Sequence, residues 1–355
     1  MNNDRIQEIL DLMEEARLDY FLISDPQSIA YCTGYYNDPH ERMFVFMISK
    51  HGNHTLFMND LFYLEHDLDV NIVWHKDGQD AIQTIVDEMH FPGRIGIDKN
   101  WASHFLLDLM KKLPDAKYIN ASPCVDLVRM KKDLQEQVLM IESSKINDAV
   151  MEEIIPFIQE GVTEKQLAKK LDELFFNHHS TCYGAIVAFG KNAADPHHEN
   201  DDTPLRKGDC VLIDMGCVYK GYCSDMTRTF FYEGILEEEI KVYEIVKKAN
   251  EAAEAMIKPG VKLSDIDKCA RKVISDEGYG KYFTHRLEHF IGRDVHEYGD
   301  VSSVNEMEVE EGMIFSIEPG IYLEGNFGVR VEDLVMVTKD RCQVLNSFTK
   351  DIYII

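Results

Sequence analysis

The stretch VLIDMGCVYKGYCSDMTRTFF, residues 211–231, decides how this chain is read. Two β-rich runs flank a Tyr-Lys-Gly turn, the pattern of a β-hairpin. With the turn centred between Tyr219 and Lys220, residues whose numbers sum to 439 face each other, and Asp214 and Asp225 are such a pair. Directly opposed side chains have Cβ atoms only ~5 Å apart, where like charges repel. A second hairpin is read in FSIEPGIYLEGNFGVRVEDLVMV, residues 315–337, with Glu324, Gly325 and Asn326 at its tip. Centred on Gly325, its facing residues sum to 650, which pairs Glu318 with Glu332.

Two opposed acidic pairs, each among aliphatic residues that point into a core, demand counter-charge. A buried carboxylate takes up a proton, pairs with a cationic side chain or coordinates metal. Four of them with one imidazole neutralise roughly two divalent ions and leave room for a bridging hydroxide. The imidazole is expected from HRLEHFIGRDVHE, residues 285–297, where His285, His289 and His296 cluster. The pattern points to a two-metal hydrolytic site.

The bulk properties agree with an enzyme of this kind. A chain of 355 residues, 45% of them hydrophobic, buries a sizeable core and is long enough for two domains. Its 63 acidic against 37 basic residues give a formal charge of -26, which repels a phosphate backbone, so no nucleic-acid partner is expected. The eight cysteines form no CxxC pair, and the polar start MNNDRIQEIL lacks a basic region followed by an apolar one. A reduced, cytoplasmic protein is expected, with Cys217 and Cys223 as buried thiols. Apolar runs such as Met43 to Ile48 fall far short of the ~20 residues of a membrane helix, so no membrane partner is expected either.

Along the chain, Ile6, Ile9, Leu10, Met13 and Ala16 recur at helical spacing from Asn3 to Arg17. Strand-like runs follow at Tyr20–Ser24, Met43–Ser49, Thr55–Met58, Ile72–Trp74 and Arg94–Asp98, separated by Gly, Asn, Asp and Pro. They predict a compact α/β domain over residues 1–124. Lys131 to Ile155 carries a long helical pattern, and Thr163 with Gln166 has capping-box spacing ahead of Leu167, Leu171 and Leu174. Further helices are expected over 237–257 and 265–277, within a single catalytic domain spanning 125–355.

These segments resemble the creatinase/methionine-aminopeptidase superfamily, and within it the proline-specific peptidases. The matching pieces are NAADPHH (192–198), DMGCVYKGYCSDMTRTF (214–230), HRLEHFIGRDVHE (285–297), IEPGIY (317–322) and GVRVED (328–333), in the family order. The resemblance implies an α+β protein: a pita-bread catalytic domain with a curved antiparallel sheet, preceded by a smaller ribonuclease-H-like α/β domain. It implies metal ligands Asp214, Asp225, His289, Glu318 and Glu332, the same four acids the hairpins select. By the same resemblance His197 and His296 would contact substrate and stabilise the tetrahedral intermediate. His285 would help bind the proline side, Arg330 would hold carboxylates by hydrogen bonds, and Tyr322 would line the pocket. A metal-bridging hydroxide, with Glu318 as general base, would attack the carbonyl before proline. Carboxylate and imidazole ligands suit manganese, cobalt or zinc, and the oxygen-rich set favours manganese.

The chain also departs from the family pattern. Glycines usually flank the metal histidine, whereas Glu288 and Phe290 stand there, and bulky neighbours are expected to narrow the site or change specificity. In the N-terminal part, TGYYNDPHERM resembles bacterial prolidases whose DPHER loop reaches the active site of a partner subunit, which implies a homodimer. Asp38, His40, Glu41 and Arg42 would then tune dipeptide binding; the alternative is an ordinary Asn-Asp-Pro turn. The resemblance implies an Xaa-Pro dipeptidase, a prolidase, acting on short peptides. An Xaa-Pro aminopeptidase taking longer peptides shares the same metals. A metal-free binding protein on this fold would usually lack some of the ligands, and none is missing here.

Overall fold

The computed structural model describes every residue except His66 and Phe91. It divides into two compact units, Met1–Arg129 and Met130–Ile355. The expected boundary at 124/125 falls within the helix Ser122–Met130, and the division lies at that helix's C-terminal end. A helix whose Val125 and Val128 pack into the first unit's core cannot be cut midway without exposing them.

The first unit is built on a six-stranded mixed sheet. Its strand order is Asn71–His75, Thr55–Asn59, Val45–Ser49, Tyr20–Ile23, Arg94–Ile97, Lys117–Asn120. The four middle strands are apolar because both faces are covered, and alternate residues serve opposite faces. Phe21, Ile23, Phe46, Ile48, Leu56 and Met58 meet Ile6, Ile9 and Met13 of the helix Asn3–Glu15 on one side. Tyr20, Leu22, Val45, Met47 and Phe57 meet Ile82, Ile85 and Leu109 on the other. Five of the strands coincide with runs read from the sequence. The sixth, Lys117–Asn120, is a partly exposed edge strand, and its two apolar residues carry no alternation long enough to announce it. The DPHER segment lies in this unit, where Arg42 donates from Nε and Nη2 to the carboxylate of Asp77 at 3.0 and 2.8 Å.

The second unit has the pita-bread arrangement of antiparallel sheets covered by helices. A three-stranded sheet holds Met226–Phe231, Cys210–Met215 and Ile186–Phe189, and a five-stranded sheet holds Glu297–Val301, Glu288–Phe290, Ile314–Ile317, Asp333–Val337 and Cys342–Val344. A hairpin of Gly320–Leu323 and Phe327–Arg330 extends from the larger sheet. The main chain crosses from one sheet to the other where Glu332 N donates to Thr227 O at 3.1 Å. The helices Leu134–Ile154 and Glu164–Asn177 bury Val150, Met151, Ile154, Leu167, Leu171 and Leu174 against Val187, Val211, Ile213 and Met226. The capping box of Thr163 and Gln166 forms, each side chain bonded to the other's backbone N–H.

One hairpin keeps its expected register and the other departs from it. In the second, Gly320 faces Arg330 and Ile317 faces Asp333, both pairs summing to 650, so Glu318 and Glu332 fall opposite each other in the gap between two ladders. In the first, Tyr219 faces Tyr222 and Asp214 faces Thr227, a sum of 441 in place of 439. The true turn residues are Lys220 and Gly221, with φ of 48° and 82°, the paired positive φ values of a tight hairpin turn. Asp225 therefore stands opposite Gly216, and the two aspartates are diagonal neighbours. A slip of two residues keeps every side chain on its face.

Polar side chains buried on the covering helices pin the strands that carry these acids. Asn147 Nδ2 donates to Met215 O at 3.0 Å, and Asn250 Nδ2 donates to Ile317 O at 2.8 Å. Asn346, on the segment that follows the strand Cys342–Val344, adds to them, accepting from Leu334 N at 2.7 Å and donating to Asp225 O at 3.3 Å. The two helix bonds end beside Asp214 and Glu318, so the helices fix these acids through the main chain. Gly216 shows how little slack remains, because a Cβ there would lie 2.0 Å from both the Ser224 carbonyl and the Tyr183 hydroxyl. Gly216→Ala is expected to destabilise the protein by about 1–3 kcal/mol through overpacking. Denaturant titration checks this, and a wild-type midpoint would contradict it.

Candidate metal centre

The four acids converge on one cavity of about 670 Å³, lined among others by Asp214, Asp225, His289, Glu318, Arg330 and Glu332. His289 Nε2 stands 3.7 Å from Asp225 Oδ2 and 3.7 Å from Glu318 Oε1. Its Nδ1 lies 3.1 Å from Phe290 O, so the carbonyl takes the ring proton and leaves the Nε2 lone pair toward the acids. Ligand atoms of Asp225, His289 and Glu332 all lie within 4.8 Å of one another. Asp225 Oδ1 and Glu332 Oε1 are buried without a hydrogen-bond partner among the described residues. Orphaned carboxylate oxygens facing a cavity fit a hard cation, and the mixed oxygen and imidazole set fits divalent metals of the first transition row.

The remaining polar contacts hold these groups in place. Arg330, 2% exposed, donates from Nη2 to Asp214 Oδ2 at 2.7 Å and from Nε to Thr227 Oγ1 at 3.1 Å. Thr227 Oγ1 in turn donates to Glu332 Oε2 at 2.6 Å. Ser316 Oγ lies 3.3 Å from Glu318 Oε1. Tyr322 differs from its expected place: it stands behind the cavity wall, its hydroxyl 3.0 Å from Arg330 Nη1 and 2.9 Å from His285 Nε2. Its strand buries it, and burial pushes its phenol up to about 12.

His197, His285 and His296 all line the cavity. His296 stacks on His289, with ring centroids 4.0 Å apart and planes 11° from parallel. His197 sits on a loop tied down by its neighbour, since His198 Nε2 and Asp201 N both reach Glu164 Oε2, at 2.6 and 3.0 Å. Glu164 is fully buried at the start of a helix, and its other oxygen accepts from Phe189 N and Asn192 Nδ2. Sequence reading missed this network, and it missed Tyr183, whose hydroxyl donates to Ser224 O at 2.8 Å from the cavity wall. Tyr183 lies in a short irregular segment with no periodic signal, whereas the capping box ahead of Glu164 was a usable clue. Cys217 and Cys223 are buried, with thiol pKa values raised by burial, and neither lines the cavity.

The two departures beside His289 have separate fates. Phe290 turns into the core against Phe315, 5.1 Å between ring centroids. Glu288 turns into the cavity. Its φ of 153° lies in a region that glycine favours and other residues enter at a cost of about 1–3 kcal/mol.

Burial dominates the acid–base chemistry. Burial first, then the charge of Asp214, raises Glu332 to about 8. Glu318 and Asp225 are raised well above the carboxylate range by burial and then by Glu332. His289 is lowered to about 4 by burial and then by His296, which leaves it neutral and able to ligate. Without cations the acids therefore keep protons that the unfolded chain would release. A group with a raised folded-state pKa stabilises the fold at low pH and loses that contribution as pH rises through the folded value. From about 6, above the ordinary carboxylate range, to about 8, the metal-free protein is expected to lose stability. Glu254, raised to about 7 by burial and then by Asp333, acts in the same direction. Thermal unfolding of chelator-treated protein checks this, with manganese expected to flatten or reverse the slope. A metal-free melting temperature that climbs across the window would contradict it.

Two family models divide the chain. The Creatinase/Prolidase N-terminal domain matches residues 5–131 and metallopeptidase family M24 matches residues 138–339. An uncharacterized peptidase of Staphylococcus aureus (strain bovine RF122 / ET3-1) is 34% identical over 355 residues, covering 98% of this chain and 99% of the relative. The crystal structure of a prolidase from Thermococcus sibiricus superposes with a TM-score of 0.93 at 31% identity, over 100% of this chain and 99% of that one. A dipeptidase from Pyrococcus horikoshii OT3 superposes with a TM-score of 0.92 at 34% identity, over 99% and 100% of the two chains. Together with the cage of acids around His289, these matches show that the chain belongs to metallopeptidase family M24, whose members are peptidases that use divalent metal ions.

Proposed function

We propose that the protein is an Xaa-Pro dipeptidase that holds two divalent ions through Asp214, Asp225, His289, Glu318 and Glu332. The observation that carries this reading is the pair of orphaned buried oxygens on Asp225 and Glu332, within reach of a neutral His289. The likeness to a prolidase and a dipeptidase over the full length of both chains supports the substrate class. Manganese is the proposed metal because oxygen donors dominate the set. A cytoplasmic homodimer, with a creatinase-type N-terminal α/β domain ahead of a pita-bread catalytic domain, completes the proposal.

When bound, divalent cations supply the charge that acidifies a water molecule and polarises the scissile carbonyl. The chain's own residues do the rest. Glu318 accepts the proton of the attacking water, with Ser316 Oγ steadying its Oε1. Arg330 orients Asp214 through its 2.7 Å bond, which holds that carboxylate in place as a ligand. His197 and His296, facing the same cavity, donate toward the oxygen on which charge develops. His285, braced by the Tyr322 hydroxyl at 2.9 Å, takes the proline side.

With manganese added, the protein is expected to hydrolyse Leu-Pro at least about tenfold faster than Leu-Pro-Pro in kcat/KM, because a dipeptidase recognises the free carboxylate next to proline and a longer chain lacks it there. Turnover of the tripeptide alone would replace the assignment with an Xaa-Pro aminopeptidase. Glu318→Gln is expected to lower kcat by about 10²–10⁴, the range for loss of a general base. An unchanged kcat would remove Glu318 from that role.

A further inference from the structure

The cavity carries a fifth carboxylate that the metal cage does not use. Glu288 precedes His289 on the strand Glu288–Phe290, and its side chain is 13% exposed, as enclosed as that of Glu318. One oxygen of Glu288, one of Glu318 and a ring nitrogen of His285 lie within 4.8 Å of one another. Its cationic neighbours pair with it only at long range. His285 Nδ1 and Arg286 Nε are each 3.4 Å away, beyond the usual N–H···O range. His285 Nδ1 is already 2.8 Å from the Arg286 carbonyl, and the Arg286 side chain is 41% exposed. An enclosed carboxylate with acceptor capacity left over, aimed into a cavity and held there at a strained φ of 153°, calls for a donor brought by the ligand.

We infer that Glu288 is a specificity-determining residue that binds a cationic side chain on the residue before proline. The inference rests on the dipeptidase reading. In an Xaa-Pro dipeptide the proline is invariant and only the Xaa side chain can vary in charge. If Glu318 serves the scissile bond, Glu288 lies within one long side chain of it. A lysine or arginine at Xaa brings Glu288 a closer donor than the two at 3.4 Å, and an acidic Xaa meets like charge there. The other carboxylates do not discriminate in this way, because bound cations and Arg330 offset them.

The test compares kcat/KM for Lys-Pro, Leu-Pro and Glu-Pro in the manganese-loaded wild type, in Glu288→Gln and in Glu288→Gly. The glycine variant suits the local φ, so a folded protein is available even if the amide disturbs the strand. The wild type should favour Lys-Pro over Glu-Pro by about tenfold or more, a preference that weakens with added salt. In both variants the ratio should fall to within about threefold of unity, since only the charge pair has been removed. Ratios within one enzyme cancel any general loss of activity. A wild type that leaves Leu-Pro intact would overturn the dipeptidase reading. Hydrolysis of Leu-Pro with the same Lys-Pro to Glu-Pro ratio in all three proteins would overturn the role of Glu288.

Discussion

Four carboxylates share one enclosed cavity, and in that setting each opposes the ionisation of the others. Burial raises Asp225, Glu318 and Glu332, and their mutual charge raises them further. Arg330 bonds Asp214, and its charge only partly offsets the rise at Glu318 and Glu332. The fold therefore maintains an arrangement that is unfavourable without cations, and much of the catalytic unit is organised to prevent its collapse. Asn147, Asn250 and Asn346 spend buried amides on the main chain beside the acids, while Thr227 and Arg330 grip their side chains. Such a site is strained toward binding, because divalent ions satisfy at once what the protein alone cannot.

Much of this was legible in the residues. The second hairpin reads correctly because its three-residue tip, with Gly325 at φ 75°, leaves the strands in simple register. The first reads with its turn one residue early, since Lys220 adopts a positive φ that lysine rarely takes. That error moves the pairing by two and so leaves both aspartates on the cavity side. The apolar faces of Asn3–Glu15 and Glu164–Asn177 were visible as periodicity. The buried Ser143, Ser144, Asn147 and Asp148 of Leu134–Ile154 were not, because a polar residue that serves a distant strand looks like a solvated one. Tyr322 was expected on the wall and stands behind it, a difference of one layer that strand alternation alone does not settle.

Glu288 illustrates the same limit. Its identity stood out as a departure beside the metal histidine, and so did that of Phe290. Only the structure separates them, sending one ring into the core and one carboxylate into the cavity. The φ of 153° at Glu288 accompanies this, together with a register shift in which His289 faces Asp300 and Phe290 faces Glu297. Glu288 and Phe290 therefore do not share a face as regular alternation would have them. A strained backbone at Glu288 is thereby linked to substrate charge, whereas Phe290 is linked to packing.

The most direct test of the central claim is anomalous diffraction from crystals of the manganese-loaded protein, collected near the manganese absorption edge. Two peaks are expected in the cavity, within coordination distance of Asp225, His289 and Glu332 and of their neighbours Asp214 and Glu318. Density at neither position, or manganese held instead at Glu164, His198 and Asp201, would contradict the account.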